Sequence, residues 1–241
     1  MVTTIYLVRH AEASGNVNET FQGRVDTAVT EKGMRQLDCL AERFRTIPIE
    51  ALYASPMQRT RATAAAVNRY HQLPVQYMDE LMEINGGVWE GKSWADLPGL
   101  YPEAYKLWQE QMHLFRIEGG ESMQQVFDRM RSTVCAIAAK HPGQTVAVVS
   151  HGCAIRNFLC YAAGNPISCL NQVGWADNTA VSRVEFDENG HCRLIYKNDA
   201  SHLPPELSTL AGSKWCRHDG KAYLTDTDYL PASAGEKGEQ A

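Results

Sequence analysis

The chain has 241 residues, 44% of them hydrophobic and 21% charged, with a formal net charge of −5. That length suits one large α/β domain or two small ones, and the composition is that of a globular chain able to bury a sizeable core. The negative balance argues against a protein that holds nucleic acid by bulk electrostatics, and no apolar stretch approaches the roughly 20 residues that cross a bilayer.

The first element predicted is a short buried strand, Ile5-Tyr6-Leu7-Val8, entered directly after Met1-Val2-Thr3-Thr4, which leaves no room for a signal peptide. It ends in Arg9-His10-Ala11-Glu12 and runs into a polar loop over 12–30 that contains Asn16, Gln22 and Gly23. Thr30 is placed as the cap of a helix whose apolar face carries Leu37, Leu40, Ala41 and Phe44. A strand over 50–54 follows. Ser55-Pro56 stops it, with Ser55 read as the cap and Pro56 as the first turn of a helix running over 58–70. A third strand is expected over 75–78. Between Glu83 and Gly120 the pattern loosens into short helices rich in tryptophan, read as a cap insertion around 84–120 over the carboxyl ends of the strands.

A long amphipathic helix is predicted over 122–140, with Val126, Met130, Val134 and Ile137 on its apolar face. The strand Thr145-Val146-Ala147-Val148-Val149 then ends in Ser150-His151-Gly152, and a helix over 153–163 stops at Gly164 and Pro166. Segments 180–186 and 192–196, joined by Asp187-Glu188-Asn189-Gly190, give a hairpin signal. No linker divides residues 1–229, which read as a single domain, and the small polar stretch 230–241 reads as a disordered tail. Seven scattered cysteines without a CxxC pair fit reduced thiols in a cytoplasm, and Cys153 reads as a small buried filler.

Two strands that each stop at a histidine imply one anionic pocket with two imidazoles and a guanidinium facing it. In open α/β sheets the carboxyl ends of strands are where ligands bind. Arg9 and Arg59 would supply two planar forks, each able to pair with two oxygens of a phosphoryl group, and His151 a third donor. A neutral His10 can then attack phosphorus. Backbone amides at Gly152, at a helix N-terminus, would add to the anion site, while Asn16 and Gln22 offer amides to phosphate oxygens or the leaving group. The other histidines show no metal-ligand spacing, and the chemistry expected calls for neither metal nor cofactor.

The order of these pieces resembles the histidine phosphatase superfamily, which includes the cofactor-dependent phosphoglycerate mutases and many small phosphomonoesterases. Arg9-His10 comes first, then Asn16, Arg59 within Ser-Pro-Met-Gln-Arg-Thr-Arg-Ala-Thr-Ala, Glu83, and Ser150-His151-Gly152. Further matches are Phe21-Gln22-Gly23-Arg24-Val25-Asp26, Thr30-Glu31-Lys32-Gly33, Gly119-Gly120-Glu121-Ser122 and Asn198-Asp199-Ala200-Ser201-His202-Leu203. The resemblance implies a three-layer α/β sandwich with a central, mostly parallel sheet, helices on both faces and a small helical cap. It implies a phosphohistidine on His10, and it identifies Glu83 as the acid, with Glu80 and Glu90 ranked below it. Two positions depart from the pattern: Ala11 stands where glycine is common, and Ala13 where a serine or threonine often offers phosphate a hydroxyl.

The resemblance leads to a metal-independent phosphomonoesterase acting on a small phosphorylated metabolite, with monomer and homo-oligomer both open. Few basic side chains fall between Glu83 and His151, which disfavours the bisphosphate-primed mutase. A non-catalytic phosphate-binding module is the rival from another class. The tryptophans read first as core or lid packing, with Trp89 and Trp94 the candidates for lining a substrate mouth.

Overall fold

A computed structural model describes residues 1–212 together with 217–218 and 221–222, so the expectation for 230–241 lies outside the described residues. The strands are β1 (Thr3–Arg9), β2 (Ala51–Ala54), β3 (Val75–Tyr77), β4 (Thr145–Ser150), β5 (Val181–Phe186) and β6 (Cys192–Asp199). The helices are α1 (Ser14–Val17), α2 (Glu31–Phe44), α3 (Gln58–Val67), α4 (Leu97–Leu100), α5 (Pro102–Glu110), α6 (Met123–Lys140) and α7 (Gly152–Ala162). A separate antiparallel pair joins Arg217–His218 to Lys221–Ala222.

The six strands form one sheet in the order β3-β2-β4-β1-β5-β6. The first four in that order run parallel, and the β5–β6 hairpin adds an antiparallel edge. Period-two alternation sends neighbouring residues of one strand to opposite faces. Ile5, Leu7, Val146 and Val148 pack with α6 and α7, while Val8, Leu52, Ala147 and Val149 pack with α2 and α3. The result is the expected three-layer α/β sandwich.

Local chemistry sets the helix starts. The Thr30 hydroxyl accepts from the Gly33 amide at 2.9 Å, and Ser122 and Gln125 form a reciprocal capping box at α6. Ser55 is different. The cap of α3 is Met57, with extended backbone, and Ser55 lies two residues outside, its side chain drawn into a buried contact with His151. The helix also ends earlier than expected, at Val67, where the Asn68 side chain turns to bond the backbone of Leu73 in both directions.

Between β3 and α6 the chain forms α4, α5 and tight 3-10 turns at Gly87–Trp89 and Met112–Leu114. Trp89 is fully buried there, its ring within 5.0 Å of Phe115 and 5.5 Å of Phe21 between centroids. It belongs to the core and not to a substrate mouth. Gly87 takes a φ of +51, and a Cβ on it would stand 2.0 Å from the Glu118 carbonyl, so this turn tolerates only glycine.

Candidate active site

β1 and β4 lie side by side with Arg9 opposite Ser150, and the His10 amide donates to the Ser150 carbonyl at 3.0 Å. His10 and His151 therefore leave the sheet from adjacent parallel strands at the same level. Their ring centroids are 5.2 Å apart. Both are buried, His151 completely.

Hydrogen bonds fix both tautomers. The carbonyl of Ala11 can only accept, so the 2.7 Å contact to His10 Nδ1 places the proton on Nδ1 and leaves a lone pair on Nε2. Arg59 Nε can only donate, and it does so to His151 Nδ1 at 3.2 Å. Neutral His151 then carries its proton on Nε2 and donates it to Ser55 Oγ at 2.8 Å. Both imidazoles are held well below the ordinary value of 6.5: first by burial, then by the charge of Arg59, with Arg9 adding to the effect on His10. Each is neutral at physiological pH.

Arg59 emerges from the first turn of α3 and is fully buried. Its Nη1 and Nη2 donate to the carbonyls of Val25 at 2.8 Å and Gly23 at 3.0 Å. These contacts, with the one to His151, use three of its five N–H groups and leave one on each Nη. Gly23 thus serves through its carbonyl. A Cβ there would stand 2.2 Å from both Glu90 Oε1 and the Ile84 carbonyl, so only glycine lets this loop approach the acid loop. Arg9 is nearly buried, and its Nη1 donates to the Ala176 carbonyl. Gly152 lets it lie close: a Cβ there would touch Arg9 Nε at 3.2 Å.

Glu83 is 8% exposed and occupies the N-terminus of α7. Its Oε2 accepts from the Cys153 amide at 2.9 Å, and its Oε1 from Ala154 and Ile84, each at 2.9 Å. The Cys153 and Ala154 amides at this helix end are therefore engaged by the acid, while Gly152 lines the cavity. Burial raises the Glu83 proton affinity, and the three N–H donors and Arg59 pull against it; burial wins, and the carboxyl titrates above its ordinary value. Glu90, the weaker candidate acid, is consumed by structure: Oε1 accepts from the amides of Gly86 and Arg24, both at 2.7 Å, and Oε2 from Val25 at 3.0 Å. Cys153 is buried with its thiol pushed far up by burial and by Glu83, as befits a filler.

A cavity of about 70 Å³ opens above these groups. Arg9, His10, Asn16, Gln22, Glu83 and Gly152 line it, while Arg59 and His151 form the layer behind His10 and Gly23 sits beyond Arg59. Asn16 turns its Oδ1 to the Ala13 amide at 3.0 Å, and Ala13 itself is fully buried. Gln22 Oε1 accepts from the Thr27 hydroxyl. The far wall holds residues the sequence does not mark for this role: Trp108, and Trp175 from the irregular stretch before β5. Asp177 and Asn178 were also silent. Asn178 Nδ2 donates to the His10 carbonyl at 2.8 Å, and Asp177 accepts from the Thr209 amide at 2.8 Å, tying the segment after β6 to the nucleophile's backbone. An Asp-Asn pair before a strand was the available signal.

The arrangement offers a neutral nucleophilic nitrogen, the Arg9 guanidinium and a carboxyl with raised proton affinity around one cavity, with the Arg59 guanidinium in the layer behind. Comparison with known proteins points the same way. The family model described as histidine phosphatase superfamily, branch 1, matches residues 5–200. The chain is 32% identical over 199 residues to phosphoserine phosphatase 1 of Hydrogenobacter thermophilus, covering 83% of this chain and 93% of that one. It is 29% identical over 195 residues to a probable phosphoglycerate mutase, GpmB, of Salmonella choleraesuis, covering 77% and 86%. Among solved structures, Bacillus stearothermophilus YhfR superposes with a TM-score of 0.80 at 30% identity, over 84% of this chain and all of that one.

Proposed function

The chain belongs to the histidine phosphatase superfamily, branch 1, and is a phosphatase; on that premise we propose that it hydrolyses small phosphomonoesters through a phosphohistidine on His10. The observation that carries this reading is the pinned tautomer of His10, whose Nδ1 proton is committed to Ala11 while Nε2 keeps its lone pair. In the first step Nε2 bonds to phosphorus, and the bond to the substrate alcohol's oxygen breaks. Glu83 gives its proton to the departing alkoxide. Arg9 and Arg59 neutralise charge on the non-bridging oxygens. In the second step the Glu83 carboxylate, steadied by three backbone N–H groups, takes a proton from water as that water's oxygen attacks phosphorus. The P–N bond breaks, inorganic phosphate leaves, and His10 and the protonated Glu83 are restored.

Residues 84–120 act as the cap that shapes the substrate end of the cavity, within a single domain. Phosphoserine, named for the Hydrogenobacter relative, is one member of the substrate class. The sequence's few basic residues between Glu83 and His151 disfavour the mutase reading that the Salmonella name raises, because a bisphosphate primer needs more positive charge. Among the described residues no helix is long and apolar enough to cross a membrane, and the described cysteines are free thiols, which supports placing the protein in the cytoplasm.

The test is a panel of phosphomonoesters assayed with and without chelator for wild type and His10→Ala. Wild type is expected to release phosphate equally in both conditions and to carry acid-labile phosphate. The variant is expected to lose both properties. Hydrolysis that persists in His10→Ala, or that requires added divalent metal, overturns the mechanism.

A further inference from the structure

We propose that Gln36 is a positioning residue that keeps the His10 proton on Nδ1, acting through the Ala11–Glu12 peptide; this rests on the reading of His10 as nucleophile given above. A trans peptide is planar, so whatever grips its N–H also aims its C=O. The Glu12 N–H donates to Gln36 Oε1 at 2.8 Å, and the carbonyl of the same peptide, that of Ala11, receives the His10 Nδ1 proton at 2.7 Å. Gln36 is fully buried, and its Nε2 donates to the Leu207 carbonyl at 2.8 Å and to Thr209 Oγ1 at 3.0 Å. A carbonyl only accepts and an amide N–H only donates, so these contacts settle which end of the side chain is oxygen.

The place calls for glutamine. One neutral group must accept from Glu12 and donate to the segment over 207–209, and a primary amide does both. A carboxylate there would set a second negative charge one hydroxyl away from the buried Glu12 side chain, which Thr209 also bonds. α2 delivers Gln36 to this spot. Its cap, Thr30, donates its amide to the Glu12 carbonyl at 3.0 Å and its hydroxyl to Glu12 Oε1 at 2.7 Å. Gly33, on the same helix face as Gln36, lets α2 press on the loop: a Cβ there would stand 2.2 Å from the Glu12 carbonyl oxygen. The preceding peptide is braced elsewhere, with the Ala11 N–H on Thr63 Oγ1 at 3.0 Å and the His10 carbonyl on Asn178 Nδ2 at 2.8 Å. Thr63 and Asn178 thus fix the point from which the ring hangs, and Gln36 fixes the carbonyl that selects its tautomer. Once Nε2 has bonded to phosphorus the ring carries positive charge, and the same carbonyl then holds the Nδ1–H more tightly.

The experiment is nitrogen NMR of the full chain with isotope-labelled histidine at neutral pH, His10 being identified by the signal missing from His10→Asn, alongside phosphatase kinetics. In the wild type, His10 Nε2 is expected to show the shift of an unprotonated ring nitrogen and Nδ1 that of a protonated one. Gln36→Met keeps the length of the chain and loses the acceptor, so the two shifts should draw together as tautomers mix. Its kcat should fall about tenfold, the weight of one lost hydrogen bond in a rate, while competitive inhibition by inorganic phosphate stays within about twofold. Gln36→Glu, which keeps an oxygen for the Glu12 amide, should retain the wild-type pair of shifts. Should Gln36→Met not fold, Gln36→Ala, whose emptied site admits water, carries the same expectation. A single tautomer persisting in the folded variant overturns the proposal, as does an unchanged kcat, phosphate inhibition that weakens as much as kcat falls, or shifts that merge equally in Gln36→Glu. If the wild type hydrolyses no phosphomonoester and no acid-labile phosphate forms on His10, the phosphatase mechanism fails, while the shifts still decide what Gln36 does.

Discussion

Arg59 Nε donates to His151 Nδ1, and this single contact dictates that the proton of His151 faces Ser55. Ser55 is thus a positioning residue acting through His151. Ser55→Ala removes the acceptor of a fully buried N–H, and the alternative tautomer would turn an N–H toward the Arg59 N–H. The expected result is a loss of about 1–3 kcal/mol in stability, together with a fall in kcat of tenfold or more. Threonine, which keeps the hydroxyl, should recover much of the rate. Thermal melts and kinetics on both variants check this, and an unchanged kcat in the alanine variant would remove Ser55 from the mechanism.

Glu83→Gln keeps the shape of the carboxyl but supplies no acidic proton. Esters of poor leaving groups, such as ethyl phosphate, should slow by about 10²–10⁴-fold, the range of general acid catalysis. Nitrophenyl phosphate, which leaves without help, should slow far less in its first step. Equal slowing of both would move the acid role to another group. In the wild type, rates for poor leaving groups should decline at high pH, because the raised Glu83 carboxyl loses its proton there, and the glutamine variant should lack this limb.

Glu90 holds the loop of Gly23 and Val25, whose carbonyls seat Arg59, against the loop that carries Glu83. Glu90→Gln replaces one carboxylate oxygen with an amide donor, leaving at least one of three backbone N–H groups unmatched. Stability should fall by about 1–3 kcal/mol. Competitive inhibition by inorganic phosphate should weaken several-fold as Arg59 shifts. A stability loss with phosphate affinity unchanged would reduce Glu90 to a structural staple.

The buried imidazoles also predict how stability responds to acid. His10 and His151 are depressed in the folded state, so below about 6.5, their ordinary value, the unfolded chain binds protons that the folded chain refuses. Their contribution is fully present above that pH and drains away as pH falls, approaching about 1.4 kcal/mol per pH unit for each ring. Glu83 is raised and acts oppositely: its contribution is complete below its ordinary value of 4.5 and is lost as pH rises through the folded value. Two rings outweigh one carboxyl, so denaturation midpoints should fall from pH 7.5 to 5.5, and the drop should shrink in His151→Asn.

Much of this site was legible because strands and motifs coincide. The two histidines mark strand ends by their position after apolar runs, and Thr30 announces its helix by side-chain chemistry. Ser55 misled because a serine before proline at a strand end has the composition of a cap, whereas a buried imidazole competes for its hydroxyl. Nothing in the spacing tells which anion reaches the helix end at Gly152, and Glu83, distant in sequence, takes the next two amides, those of Cys153 and Ala154. Trp175 carries no periodic signal in its irregular stretch, so only the folded chain brings it beside Trp108.

The register that sets Arg9 across from Ser150 means the reactive rings are spaced by the weave of the sheet and not by any loop. Their alignment is inherited from backbone pairing deep in the molecule, so the stretch after Glu90 that bears Trp94 and Trp108 is open to rebuilding, by evolution or by an engineer, with the two rings still aligned.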